Sequence, residues 1–199
     1  MRDFIIIGHK ASTSSDFSLN DLPGSAGRMD ILCRCINSAF FLSHDIRNDV
    51  QVHLLLLGEP EPGKIIRFNG ENIKHLNPDE RSSAALIKKA LEKDAGESEI
   101  QSTPGVWIRQ GSLETLINEF YNQGKTLAYL REGGDDIRTT AGSLNDAVFF
   151  LGDHIGVTEK EEEMIINAGA KLISVSPYSI HADHCILILN NELDRTLEK

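Results

Sequence analysis

Thr126-Leu-Ala-Tyr-Leu130, Ala147-Val-Phe-Phe-Leu151 and Lys171-Leu-Ile-Ser-Val175 are three short apolar runs, and what lies between them decides the fold. Ser112 to Asn122 carries a helical pattern and leads through Gly124 into the first run; Thr158 to Ala168 carries another and leads through Gly169 into the third. Strands that alternate with helices over short links build a mostly parallel α/β sheet with helices on both faces. Each run opens into a loop, namely Leu130-Arg-Glu-Gly-Gly134, Leu151-Gly-Asp-His154 and Val175-Ser-Pro-Tyr-Ser-Ile180. Open α/β sheets bind ligands beyond the carboxyl ends of their strands, and Gly133, Gly134 and Gly152 let main chain come close to one. Any one of these loops reads first as an ordinary turn; three in series point to a binding site. The G-x-G-x-x-G signature of dinucleotide sites is missing.

Outward from this core, Phe4-Ile-Ile-Ile-Gly8 and Val50 to Leu57 read as two further buried strands. Between them Met29, Leu32, Cys33, Ile36 and Phe40 recur at helical spacing, after a turn-rich entry from Asn20 to Gly27. Lys64 to Phe68 and Glu71 to His75 flank Asn69-Gly70, a strong turn signal, so a β-hairpin is predicted after the second strand. Pro78-Asp79-Glu80 opens a helix that runs to about Lys93. The polar stretch Asp94 to Pro104 reads as a flexible connector within a single domain over residues 1–199. A final helix carries Ala182, Cys185, Ile186, Leu189, Leu193 and Leu197 as an apolar stripe.

With 199 residues, 40% hydrophobic and 25% charged, the chain can bury a sizeable core, which excludes a disulfide mini-protein and a disordered tail. Its apolar runs are far shorter than the ~20 residues a bilayer-spanning helix needs. Met1-Arg-Asp-Phe4 does not begin a signal peptide, so cytoplasm is the expected compartment, and Cys33, Cys35 and Cys185 read as reduced thiols. A net charge of −10 argues at first against a nucleic-acid partner. Residues 1–100, however, hold 12 bases against 15 acids, whereas residues 101–199 hold 8 against 15. A polyanion would therefore meet the N-terminal half, where Lys10 and Arg28 bracket a polar loop.

Two motifs lose to simpler readings. Gly58-Glu-Pro-Glu-Pro-Gly63-Lys64 has the spacing of a phosphate-binding P-loop, but Ile65 replaces the metal-binding hydroxyl, and Pro60 and Pro62 remove amides that would cradle phosphate. A rigid strand-to-strand turn fits better. His181-Ala-Asp-His184-Cys185 gathers metal-ligating types on one helix face, yet no CxxC or HExxH pattern supplies the further ligands structural zinc demands, so no metal is expected.

Phe17-Ser-Leu-Asn-Asp-Leu-Pro-Gly24 with Gly27-Arg-Met-Asp30, Leu57-Gly-Glu-Pro60, Ile66-Arg-Phe68, Leu76-Asn-Pro-Asp-Glu-Arg81, and His181-Ala-Asp-His-Cys-Ile186 with Asn191-Glu-Leu-Asp-Arg195 resemble the archaeal tRNA pseudouridine N1-methyltransferases of the SPOUT superfamily, over residues 3 to 195. The resemblance implies a C-terminal trefoil knot, a homodimer, and S-adenosyl-L-methionine held by the knot loops. By position the cofactor pocket takes Leu130, Gly152, Val175, Ser176, Pro177, Tyr178, Ser179, Ile180 and Cys185. The implied target is pseudouridine 54 of tRNA. Asp21 or Asp30 is the expected base, Arg28 is placed to stabilise the developing negative ring, and Lys10 and Arg28 are expected to contact RNA. Competing readings are a sister enzyme acting on small-subunit ribosomal RNA, a non-catalytic RNA-binding or assembly factor with a knot fold, and, from the His181 to Cys185 cluster alone, a metal-dependent hydrolase.

Overall fold

The computed structural model describes residues 1–197 and places strand β1 (Arg2–Gly8), buried along its whole length, at the centre of an eight-stranded sheet. β1 pairs in parallel with β2 (Val50–Leu56) on one side and with β7 (Ala147–Gly152) on the other. Beyond β7 come β6 (Thr126–Asp136) and β8 (Lys171–Ser174), also parallel. Beyond β2 the sheet turns antiparallel through β3 (Lys64–Asn69), β5 (Val106–Gln110) and the edge strand β4 (Ile100–Thr103). The order across the sheet is β4-β5-β3-β2-β1-β7-β6-β8.

Side chains of β1 alternate between two cores, as a fully buried strand must. Phe4 and Ile6 face helices α2 (Met29–Phe40), α3 (Glu80–Leu91) and α7 (Ala182–Leu197); Ile5 and Ile7 face α4 (Leu113–Asn122) and α6 (Glu159–Asn167). Helix starts follow local chemistry. Asp79, Ser112 and Thr158 cap α3, α4 and α6 by accepting amides from Ser82, Thr115 and Glu161. Two one-turn helices, α1 (Leu22–Ser25) and α5 (Ile137–Thr140), lie in the connections.

α7 is fixed through its C-terminal half. There, Asn190 Nδ2 donates to Ala39 O at 3.3 Å, and the buried Arg2 guanidinium reaches Asn190 at 3.1 Å and Asp194 at 2.8 Å. These contacts hold that half at the start of β1, so the helix N-terminus points to the carboxyl end of the parallel strands. Ile186, Leu189 and Leu193 of the expected stripe are buried in the chain's own core, while Leu197 is exposed.

Three expectations need correction. Glu71 to His75 is not a strand, because both edges of β3 are already taken by β2 and β5. Gly70 is there for another reason: a Cβ would stand 1.9 Å from Arg47 O. The hairpins are instead β2–β3, through the proline-rich Gly58–Gly63 turn, and β4–β5, through Pro104-Gly105. The stretch read as a flexible connector therefore contains β4. Finally, β6 runs past Leu130 to Asp136, with a register shift in which Leu130 and then Asp135 both pair with Ile173.

Candidate functional site

A cleft of about 1010 Å³ opens at the carboxyl ends of β7 and β6. One wall is made by the strand-end loops, the other by α2, and the N-terminus of α7 closes it. Leu130, Gly152, Ser179, Ile180, Cys185 and Arg28 line this cleft. Val175, Ser176 and Tyr178 line an adjoining hollow of about 110 Å³ that shares Leu130, Ser179, Ile180 and Cys185 with it. Pro177, Lys10, Asp21 and Asp30 line neither.

The strand-end wall is shaped by main chain. After β7 the chain doubles back at Gly156, so a Cβ on Gly152 would lie 2.3 Å from Gly156 C and 2.7 Å from Val157 N. Gly134 is pressed as closely on β8, 2.6 Å from Leu172 C. These two glycines thus permit loop to cross loop, a different need from the direct ligand approach read in the sequence; Gly133, at φ +79°, faces open space.

Asp153 pins the turn. Its buried carboxylate accepts His9 N–H at 2.8 Å and Ile155 N–H at 2.9 Å, and the His9 ring bridges it through Nδ1 at 3.1 Å to Glu161 through Nε2 at 3.0 Å. Burial alone would lower the imidazole pKa, but the hydrogen bonds to Glu161 and Asp153 outweigh it and leave His9 above its ordinary value. Burial pushes Glu161 up, and its bonds from His9 and Thr158 reverse that, leaving it below the usual carboxylate range.

The α2 wall is built from charge. Arg28 caps α2 in the left-handed region (φ 67°), directly after Gly27 (φ 61°), where a Cβ would stand 1.7 Å from Lys10 O. Its Nε and Nη2 donate to the two oxygens of Asp30 at 3.0 and 3.1 Å, and Arg34 Nη1 donates to the same carboxylate at 3.0 Å. Burial would raise the Asp30 pKa, but the two guanidiniums hold it below the carboxylate range. Asp21 is occupied as well, accepting Gly24 N–H as the cap of α1. Asp30 is therefore not a free proton acceptor, and Asp21, with Oδ1 engaged, lies outside the cleft lining.

On α7, Asp183 is 8% exposed, lines the cleft, and has a buried Oδ1 without a hydrogen-bond partner. Cys185 donates weakly to Ile180 O at 3.9 Å, and burial, with Asp183 adding, pushes its thiol up to about 11. It stays a neutral, polarizable lining group at neutral pH. The His181 and His184 rings stack at 5.5 Å, and among the described residues no group of three or more His, Cys, Asp or Glu is gathered as metal ligands. Nor is any described helix long and apolar enough to cross a membrane.

Sequence pattern alone does not single out His9, Arg34, Asp153 or Asp183. Asp153 lies within Leu151–His154 and Asp183 within His181–Cys185, Arg34 sits one turn after Asp30, and no motif surrounds His9.

Comparison with solved structures places this architecture. Archaeoglobus fulgidus Nep1 bound to S-adenosylhomocysteine superposes with a TM-score of 0.66 at 15% identity, covering 100% of this chain and 99% of that one. The SpoU methyltransferase AviRb from Streptomyces viridochromogenes gives 0.51 at 10%, covering 100% and 60%. The fold is that of the SPOUT methyltransferases, α/β proteins with a mostly parallel sheet. By sequence the chain belongs, over residues 1–197, to the family described as "Putative SAM-dependent RNA methyltransferase". It is 67% identical over 197 residues to the tRNA (pseudouridine(54)-N(1))-methyltransferase of Methanococcoides burtonii, covering 99% of this chain and 98% of that one. The protein of the same name from Methanocaldococcus jannaschii is 45% identical over 201 residues, covering 98% and 97%.

Proposed function

We propose that this chain transfers the methyl group of S-adenosylmethionine to N1 of pseudouridine 54 in tRNA. The observation that carries the reading is one cleft with a loop wall suited to a small neutral-to-cationic ligand and a guanidinium wall suited to RNA; full-length relatives of that activity support it. The loop wall fits the cofactor. Leu130, Leu151, Ile155 and Ile180 offer apolar surface for an adenosine, and Asp153 and Asp183 bring negative charge toward a sulfonium and an ammonium. When bound, the cofactor supplies an electrophilic methyl group.

What remains falls to the chain's own residues. The carbon–carbon glycosidic bond of pseudouridine leaves N1 as a free N–H, so the ring must be held with N1 toward the methyl and its proton must go. Asp153 is spent on His9 and Ile155 and Glu132 stands exposed, so Asp183, which lines the cleft and accepts no hydrogen bond among the described residues, is the carboxylate we assign to take the proton. Leu130, Gly152, the Val175–Ile180 loop and Cys185 are assigned to the cofactor, and Arg28 and the exposed Lys10 to the RNA. Turning the base out of the tRNA loop costs a few kcal/mol, which those basic contacts offset.

A homodimer, a C-terminal knot and a cytoplasmic location belong to the same proposal. The exposed Leu187 and Tyr178 support the first, and the chain looped out between the two β6–β8 registers supports the second. Light scattering tests the dimer.

The activity is tested with methyl-labelled cofactor and tRNA transcripts carrying pseudouridine or uridine at position 54, beside a small-subunit ribosomal RNA fragment carrying pseudouridine. Label on the pseudouridine tRNA alone, mapped as 1-methylpseudouridine, is expected. Label confined to the ribosomal fragment, or to no RNA, overturns the proposal in favour of the sister activity or of a binding factor.

A further inference from the structure

We infer that Asp30 is a positioning residue that sets Arg28 and Arg34 as a two-pronged clamp for a phosphate of the substrate RNA beside the flipped nucleotide. This rests on the RNA-methyltransferase reading and adds a contact, Arg34, and a role for Asp30 to it. The geometry is that of a bracket. Asp30 is 5% exposed at its side chain and cannot itself meet a ligand, whereas the Arg28 and Arg34 side chains are 39% and 32% exposed and line the cleft. Arg28 spends Nε and Nη2 on Asp30 in two parallel bonds, and Arg34 spends only Nη1, shared between Asp30 and Glu80 Oε1 at 3.3 Å. Among the described residues no hydrogen bond uses Arg28 Nη1 or Arg34 Nε and Nη2. Donors therefore remain on both guanidiniums after the bracket is formed.

The unused donors point to an anion. Two guanidiniums against one buried carboxylate leave one formal positive charge, which the half-buried Glu80 balances from the outer side of Arg34, so the donors left on Arg28 and Arg34 rather than a net charge are what an anion would meet. Guanidinium forks bind phosphate oxygens bidentately, and arginine is the residue suited to that geometry. The backbone carries a cost here too. Arg28 holds a left-handed conformation unusual for a residue with a Cβ, and the Lys10 carbonyl packed on Gly27 allows nothing larger before it. Such strain persists where the surrounding structure fixes a side chain in one direction, here along the rim of the cleft.

Arg34→Ala, Arg34→Lys, Asp30→Asn and Asp30→Glu test the clamp against the parent. The readouts are tRNA affinity at several salt concentrations, KM and kcat for tRNA at saturating cofactor across pH, S-adenosylhomocysteine affinity, and melting temperature. Arg34→Ala is expected to weaken tRNA binding and raise KM about tenfold, as for a lost hydrogen bond to a charged group, with kcat and S-adenosylhomocysteine affinity nearly unchanged. The salt slope is expected to fall by about one. Arg34→Lys is expected not to restore the parent, and Asp30→Asn to reproduce the KM effect although both arginines remain, with Asp30→Glu recovering part of it.

Three results overturn the inference: loss of S-adenosylhomocysteine binding in Arg34→Ala, which makes the pair a cofactor-carboxylate site; a fall in kcat with a shifted pH profile in Asp30→Asn, which makes Asp30 the base; and a lower melting temperature with unchanged tRNA affinity, which makes the bracket structural. Failure of the parent to methylate any tRNA sinks the proposed function instead, and the tRNA affinities still decide the clamp.

Discussion

On the strand-end wall of the cleft, loops meet so closely that Gly152 and Gly134 each stand within 2.6 Å of neighbouring main chain once a Cβ is added; on the α2 wall, the same cleft is faced by two arginines held on one carboxylate. The first wall owes its shape to backbone and has no room for a Cβ at Gly152 or Gly134. The second owes its character to charge and should tolerate changes of shape that keep that charge. The difference teaches that one cleft can hold two ligands whose affinities are set by separate kinds of residue, and that a substitution on either wall should disturb mainly its own ligand.

The largest effect is expected for Gly152→Val, which forces the 153–157 turn off the position that forms the loop wall. S-adenosylhomocysteine binding should fall at least a hundredfold, measured by calorimetry, with Gly142→Ala, where a Cβ meets nothing within 4 Å, as the silent control. Equal affinity in Gly152→Val breaks the loop wall as drawn. Next is Asp183→Asn, which keeps the shape of α7 but removes the proton acceptor. Single-turnover methylation at saturating cofactor should slow by ~10²-fold or more, the range for loss of a positioned base, while tRNA still binds. A parent-like rate removes Asp183 from the chemistry.

The His9 bridge sharpens the comparison through pH. A neutral imidazole has a single N–H and cannot donate to both Asp153 and Glu161; the protonated ring can. Because the folded pKa of His9 lies above the ordinary 6.5, its contribution to stability is complete below that value and is lost as pH rises through the folded pKa. Glu161, lowered from 4.5, contributes above that value and loses its contribution as pH falls through its own folded pKa. The parent should therefore melt highest between those limits, and His9→Gln should flatten the decline on the alkaline side. An identical alkaline decline in both proteins excludes the bridge as its cause. The smallest effect belongs to Lys10→Ala, outside the cleft lining: tRNA affinity a few-fold weaker with a shallower salt slope, and cofactor affinity unchanged. A tRNA affinity and slope equal to the parent's leave Lys10 without an RNA contact.

Much of the loop wall was legible in the chain. The runs at Thr126, Ala147 and Lys171 alternate with capped helices at short spacing, and the three loops after them do converge on one cleft. The antiparallel half misled for a physical reason. Asn69-Gly70 carries a hairpin signal, but its glycine answers a clash with Arg47 O that only the fold creates, and the neighbour of β3 is β5, some forty residues on in sequence. The α2 wall was half legible. Arg28 and Asp30 stood out beside the turn-rich entry, but that Asp30 is buried and shared with Arg34 depends on how α2 lies against α3 and α7, which periodicity does not determine. His9 was invisible for the same reason: its partners are 144 and 152 residues away.

The separation of the two walls is tested most directly by titrating S-adenosylhomocysteine and, in parallel, pseudouridine-containing tRNA into an Arg28→Ala/Arg34→Ala double variant. The expected result is cofactor-product affinity within about threefold of the parent, alongside tRNA affinity reduced by well over tenfold, as for two lost charged contacts. Loss of both affinities together, or of neither, would contradict it.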